Sequence, residues 1–249
     1  MENSEAITNL SDAIEVAYNQ MLVDAHHNLF LNKRLPIYKC IERLDELNHL
    51  NIRGWLALLT ARKVLFIWER TPPYYSFPQL LVNDAESFLQ NNLSLPDLKA
   101  KYDFEELTIT GFYNDPETYT DKQKYSGQAT LLACTEAQGI LLFNQLFPND
   151  LIHKMEEEII QGYPDEMLRD FYIDCASMAV CAYSGISFDW DIVDDSVSEW
   201  INDFQELLNI INTTFDPEFI PEKRLEFWKW WLKEAIPQAC ELAEQFSNK

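Results

Sequence analysis

The sequence predicts an all-α protein, and three observations favour this class. Only six of the 249 residues are glycine, far fewer than strand-rich or nucleotide-binding folds need for their turns and loops. Apolar residues, 47% of the chain, recur mostly at helical spacing. No repeat, low-complexity tract or Gly/Ser linker divides the sequence, so we expect one domain over residues 1–249 with about eight to ten helices.

The first two helices are predicted from the spacing of their apolar residues. One follows a cap at Ser11 or Asp12 and carries Ala13, Ile14, Ala17, Tyr18 and Met21. The other follows "LFLNKRLP" and carries Ile37, Tyr38, Ile41 and Leu44. Both have a polar face, as expected of helices that lie at the surface of the domain.

The third helix, in "RGWLALLTARKVLFIWERTPP" at residues 53–73, is apolar on nearly every side and ends before two prolines. Such a helix is typical of the centre of a large core. Arg62 nevertheless falls between apolar residues, and Glu69 lies on nearly the same side two turns later. The fourth helix lies in residues 76–90, with Ser76 as its cap and Pro78 in its first turn.

Further along the chain, a minor strand pair is the most β-structure that we expect near residues 105–120. A long helix is predicted over residues 121–147, where Gly127 and Gly139 indicate close helix–helix contact because glycine weakens a helix by about 1 kcal/mol. Four more helices are predicted, at residues 150–160, 164–183, 195–212 and 222–246.

The chain is strongly acidic, with 41 acidic and 19 basic residues and a net charge of −22. The acids are concentrated in the second half, where residues 126–249 hold 23 acids and 7 bases. Such a field repels nucleic acid and anionic lipid and attracts basic proteins. Solubility alone is the competing interpretation of the same charge.

The cysteines predict a reducing compartment. All five, Cys40, Cys134, Cys175, Cys181 and Cys240, are scattered and odd in number, which is typical of reduced core thiols. The sequence contains no signal-peptide pattern and no apolar run that could span a membrane, so we expect a cytoplasmic protein that does not bind a membrane.

No motif in the sequence predicts catalysis, a cofactor or a metal site. The glycines do not cluster before a helix, no nucleophile elbow occurs, and the one Glu-x-x-His motif has no second copy. His26 and His27 are adjacent, which favours a loop or a helix end over a metal site. A helical metal-dependent enzyme that uses this pair or the acidic residues remains an alternative hypothesis.

The most distinctive segment is the acidic run, residues 188–206, which contains seven acids and no base. A capped and solvated helix is one interpretation, because acids suit the first turn of a helix. A partner-binding surface is the other, since aromatic anchors within a charged rim are typical of binding sites. The residues that we predict to contact the partner are Asp189, Trp190, Asp191, Asp194, Asp195, Glu199 and Asp203.

Two segments of the sequence resemble a known family. "LLTARKVLFIWERTPP", followed by a pattern with Pro78, Leu80, Leu81, Ala85, Glu86, Phe88 and Leu89, is similar to the all-helical immunity proteins of bacterial polymorphic-toxin systems, in the fifth of the numbered immunity families. "KRLEFWKWWLKEAIPQA" at residues 223–239 resembles the closing segment of that family, and "LNKRLPIYK" at 31–39 is a weaker match. Phe66 stands where the family pattern has proline.

The resemblance implies a cytoplasmic protein that binds and neutralises a cognate toxin without catalysis, and it identifies no toxin-contacting residue. A basic nuclease is the kind of toxin that an acidic inhibitor would attract. An acidic mimic of DNA that inhibits basic proteins in general is a further alternative. In the family-like segments, we expect Arg62, Glu69, Arg224 and Glu234 to form buried charge pairs between helices 53–70 and 222–235.

Overall fold

The computed structural model describes residues 2–29, 31–44, 49–68, 77–98, 100–101, 123, 125–127, 129–130, 133, 175–185 and 219–247. Within these residues every regular element is helical, so the predicted all-α class is confirmed. The expected strand pair near 105–120 and the helix expected at 195–212 lie outside them. The single domain over residues 1–249 therefore stays a prediction.

Seven α-helices and one π-helical turn have bounds that the structure describes. These elements are α1 (Glu2–Val23), α2 (Leu31–Leu44), α3 (His49–Trp68), α4 (Phe77–Leu89), α5 (Cys175–Ser184), α6 (Pro221–Trp230), the π-helical turn (Trp231–Ala235) and α7 (Ile236–Ser247). None of the helices in this part of the chain is both long and apolar enough to cross a membrane.

The first two helices begin earlier than the sequence predicts. α1 begins at Glu2, so that Ser11 and Asp12 lie within the helix and do not cap it. The polar residues at its start are compatible with a helix, and acids favour the positive end of the helix dipole. α2 begins at Leu31 and includes Pro36. Burial of its apolar side offsets the hydrogen bond that this proline cannot make.

α3 is the central helix, as its apolar character predicts. It packs against α2, α4, α5 and α7, so that most of its sides face another helix. Trp55, Leu58, Ala61 and Val64 are all at most 1% exposed. A helix with a polar stripe could not occupy this place without burying unpaired polar groups.

The close contact predicted at Gly127 is confirmed. A Cβ atom at this position would lie only 2.9 Å from a ring carbon of Trp68, at the end of α3. The preceding residue, Ser126, donates a hydrogen bond from its hydroxyl to the carbonyl oxygen of Val64 at 2.7 Å. Glycine therefore allows this segment to approach α3 closely, whereas Gly139 lies outside the described residues.

The C-terminal helix expected at residues 222–246 is present, but the sequence gives no sign of its π-helical turn. This turn places Trp231 in the core, where its indole N–H donates a hydrogen bond to the hydroxyl of Thr60 at 3.2 Å. In α7, Phe246 stacks on Trp55 with 5.4 Å between ring centroids. α3 and the C-terminal helix are therefore joined by aromatic packing and a neutral hydrogen bond.

The four described cysteines, Cys40, Cys175, Cys181 and Cys240, are free thiols. Cys175 donates from Sγ to the carbonyl oxygens of Ala57 and Ala129, at 3.3 and 3.2 Å, and is fully buried together with Cys181. Burial raises the pKa values of the Cys40 and Cys240 thiols, which favours their protonated form. The core role predicted for Cys175 and Cys181 is confirmed.

Candidate functional site

The predicted partner-binding residues lie outside the described part of the chain. This applies to Asp189, Trp190, Asp191, Asp194, Asp195, Glu199 and Asp203, so their role stays a prediction. The structure does describe the two ends of the segment that contains the acidic run: the end of α5 and the residues just before α6.

These two points lie together. The backbone N–H of Ile220 donates a hydrogen bond to the carbonyl oxygen of Ser184 at 2.7 Å. Gly185 ends α5 with a φ of 80°, a conformation that favours glycine at this position, and its N–H bonds the carbonyl oxygen of Cys181 at 2.9 Å. Gly185 and Phe219, which flank residues 186–218, therefore lie close together.

Arg224, in the first turns of α6, links the two points. It is only 2% exposed. Its guanidinium donates to Ser184 Oγ at 3.1 Å, to the carbonyl oxygen of Gly185 at 3.0 Å and to Asn28 Oδ1, and lies 4.9 Å from the ring centroid of Phe219. The positive charge also suits the C-terminal end of the α5 dipole. We call this group of five residues the arginine clamp.

The turn after α1 holds the asparagine of the clamp in place. Asp24 Oδ1 accepts hydrogen bonds from the backbone N–H groups of His26, at 3.0 Å, and Asn28, at 2.8 Å. His27 has a positive φ of 57° in the same turn. The predicted helix-end position of the two histidines is confirmed. Among the residues that the structure describes, no three His, Cys, Asp or Glu side chains form a metal-binding group.

The predicted charge pairs between α3 and the C-terminal helix are wrong for Arg62 and Glu234 and stay a prediction for Glu69 and Arg224. Arg62 pairs with Glu86 of α4 through two hydrogen bonds, one of them 3.1 Å long, and its side chain is 36% exposed. Glu234 is exposed, Glu69 lies outside the described residues, and Arg224 belongs to the arginine clamp. Angular positions on one helix show which face carries a charge but not what lies opposite it, and Glu86 of α4 lies opposite Arg62.

Sequence reasoning missed a second group of side chains, where α3, α5 and α6 meet. Lys63 Nζ lies 4.9 Å from the ring centroid of Trp230 and 5.8 Å from that of Tyr183. Tyr183 donates a hydrogen bond to Glu226 Oε1 at 2.6 Å. We call these four residues the lysine–aromatic face. They come from three distant parts of the sequence, so no local motif could reveal them.

Opposite charges are separated along the chain. Helices α2, α3 and α6 contain ten basic and three acidic residues. The connection between the two ends of the clamp, residues 186–218, contains nine acidic residues and no basic one. No family model matches the chain, and no curated protein matches it in sequence.

Proposed function

We propose that this chain is a cytoplasmic immunity protein that binds and blocks a cognate toxin, a basic protein, through its acidic run. The observation that carries the proposal is the run itself: seven acids without a base, with Trp190 and Trp200 among them. Acidic residues accelerate the encounter with a basic partner. Tryptophans that become buried at an interface are typical of the residues that contribute most of the binding energy.

The arginine clamp supports the proposal. The two ends of the acidic connection are held together by the bond between Ile220 and Ser184 and by Arg224, so these ends are already in place when a partner binds. An inhibitor gains affinity from such preorganisation.

The positions of the family-like residues also support it. Arg62 and Glu86 come from the segments 58–73 and 78–89, which resemble the immunity family, and they pair with each other between α3 and α4. Phe227 and Trp231 of the closing segment are fully buried. These residues hold the helical core together, as expected if the family-like segments form the scaffold and another surface binds the partner.

The first test is to read the genes beside this one and to co-express the chain with a neighbouring toxin domain. We expect a secreted or repeat-bearing protein with a variable C-terminal domain, and a complex of that domain with the full chain that survives moderate salt. Neighbouring genes for metabolic enzymes, or no complex, would contradict the proposal. Weak binding to many basic proteins, lost steeply with salt, would favour the DNA-mimic alternative instead.

The second test removes three acids from the acidic run and compares the effect with that of a control that removes three acids elsewhere. The triple variant Asp191→Asn, Asp194→Asn, Asp195→Asn should slow association with the toxin domain by about tenfold at low salt. The control Asp12→Asn, Glu222→Gln, Glu241→Gln removes three exposed acids from described helices and should bind nearly as the wild type does. Equal rates for both variants would show that only overall charge matters.

A further inference from the structure

The lysine–aromatic face has a rigid base. Tyr183 and Trp230 are half-buried, and both pack on Phe227, which is fully buried, with ring centroids 5.9 and 5.7 Å apart. The hydrogen bond from Tyr183 to Glu226 further fixes the tyrosine ring. Two aromatic rings are therefore held in place at the surface before any partner arrives, which lowers the entropy cost of binding to them.

The ammonium group of Lys63 has no carboxylate partner within the described part of the chain. Three other cations there do have one: Arg62 pairs with Glu86, Lys101 with Asp84 at 2.7 Å, and Lys233 with Glu15 at 3.1 Å. Lys63 Nζ instead lies over the two rings, which can accept a cation but leave its N–H donors available.

The surroundings of Lys63 match a binding surface. α3 contains three basic residues and no acidic one. Phe66, one turn after Lys63, is 40% exposed and extends the apolar area on the same side of the helix. Tyr183 directly precedes Ser184 of the arginine clamp, so the face adjoins the base of the acidic run.

We infer that the lysine–aromatic face binds a carboxylate group of the same protein partner, beside its contact with the acidic run. The inference rests on the proposed function. Lys63 would donate to the carboxylate, while Trp230, Tyr183 and Phe66 cover the adjoining apolar surface of the partner. Acidic and basic contacts at neighbouring places allow only one orientation of the partner, because the reverse orientation brings like charges together.

The test measures the affinity of the full chain for the neighbouring toxin domain in three variants of one residue. Lys63→Arg keeps the charge and should bind within about twofold of the wild type. Lys63→Met keeps the apolar stem and should weaken binding about tenfold, and Lys63→Glu about a hundredfold, because truncated contacts at binding hot spots have effects of this size. An affinity that falls from Lys63→Arg to Lys63→Met to Lys63→Glu would indicate a carboxylate on the partner.

Lys233→Met is the matched control. Lys233 also lies over an aromatic ring, 4.9 Å from the centroid of Tyr18, but away from the lysine–aromatic face and paired with Glu15. Its loss should leave affinity unchanged. Thermal unfolding of every variant checks the fold, and Phe66→Ala, a change at an exposed residue of the same side, gives a second test that should weaken binding several-fold.

The outcomes separate the two proposals. If the wild type binds the toxin domain and the Arg, Met and Glu variants bind it equally well, this inference is overturned while the proposed function stands. If Lys233→Met weakens binding as much as Lys63→Met, the effect is one of overall charge and the inference is again overturned. If the wild type does not bind the domain at all, the proposed function fails and takes the inference with it.

Discussion

Two arginines, Arg62 and Arg224, have similar sequence settings and different structural roles. Arg62 lies at the side of α3 with 36% of its side chain exposed and pairs with a carboxylate, Glu86. Arg224 is 2% exposed and donates to a hydroxyl, a backbone carbonyl and an amide oxygen. Arg62 joins two helices through a half-exposed ion pair. Arg224 joins three chain segments through its buried guanidinium.

The difference teaches that burial, and not charge pattern, sets how much such a residue contributes. A half-exposed ion pair loses most of its Coulomb energy to solvent screening. A buried guanidinium that satisfies several acceptors leaves those acceptors without partners when it is removed. The predictions below test this contrast, from the largest expected effect to the smallest.

Arg224→Met should lower the free energy of unfolding by about 3 kcal/mol, because Ser184, Gly185 and Asn28 each lose a charged donor in the clamp. Chemical denaturation of the full chain measures this value. Lys223→Met, a change at the exposed neighbouring lysine, is the control and should stay within about 0.5 kcal/mol of the wild type. A similar effect of both changes would contradict the role of the clamp.

Gly127→Ala tests a purely apolar contact, and its effect on the free energy of unfolding can be compared with the effects of the two arginine changes. The added Cβ would lie 2.9 Å from the Trp68 ring, and overpacking of this kind costs about 1–3 kcal/mol. The better helix propensity of alanine returns about 1 kcal/mol, so a net loss of about 1 kcal/mol is expected. In a Trp68→Leu background the same change should no longer destabilise, and a loss that persists there would refute the steric explanation.

Arg62→Met should cost less than about 1 kcal/mol, because the pair with Glu86 is half-exposed. The loss should shrink as salt is added, and Glu86→Gln should have a similar effect, with the double variant no worse than either. Equilibrium unfolding at low and high salt checks these points. A loss of about 3–5 kcal/mol would instead indicate the buried pair that the sequence predicts.

Tyr183→Phe should have the smallest effect at neutral pH and a distinct one in alkali. Burial, the hydrogen bond to Glu226 and the charge of Glu226 raise the pKa of Tyr183 to about 12. A pKa raised above the unfolded value stabilises the fold fully below about pH 10, and this contribution is lost as the pH rises towards 12. The variant should lack that part of the alkaline decline in stability, measured by denaturation at several pH values.

Much of the helical core could be predicted from local patterns. The burial of α3, the early Pro78 of α4 and the close approach at Gly127 follow from spacing and composition. These features depend on residues within one or two turns of each other. The predicted starts of α1 and α2 were wrong. The polar residues before Ser11 are compatible with a helix, and burial of the apolar side of α2 offsets the hydrogen bond that Pro36 cannot make.

The candidate site divides in the same way. The acidic run is a contiguous sequence feature, and it remains the best prediction of where a partner binds. The arginine clamp joins Asn28, Ser184 and Arg224, and the lysine–aromatic face joins Lys63, Tyr183 and Trp230. Their members lie far apart in the chain, so no local pattern indicates that they meet.

By itself, the sequence determined the helical class, the central place of α3 and the separation of acids from bases, because composition and periodicity fix these before any packing. Only the tertiary structure decided the partner of each charge: Glu86 for Arg62, the end of α5 for Arg224 and two aromatic rings for Lys63. The reason is that the sequence of one helix shows which of its faces carries a charge, whereas the packing of helices decides what lies opposite that face.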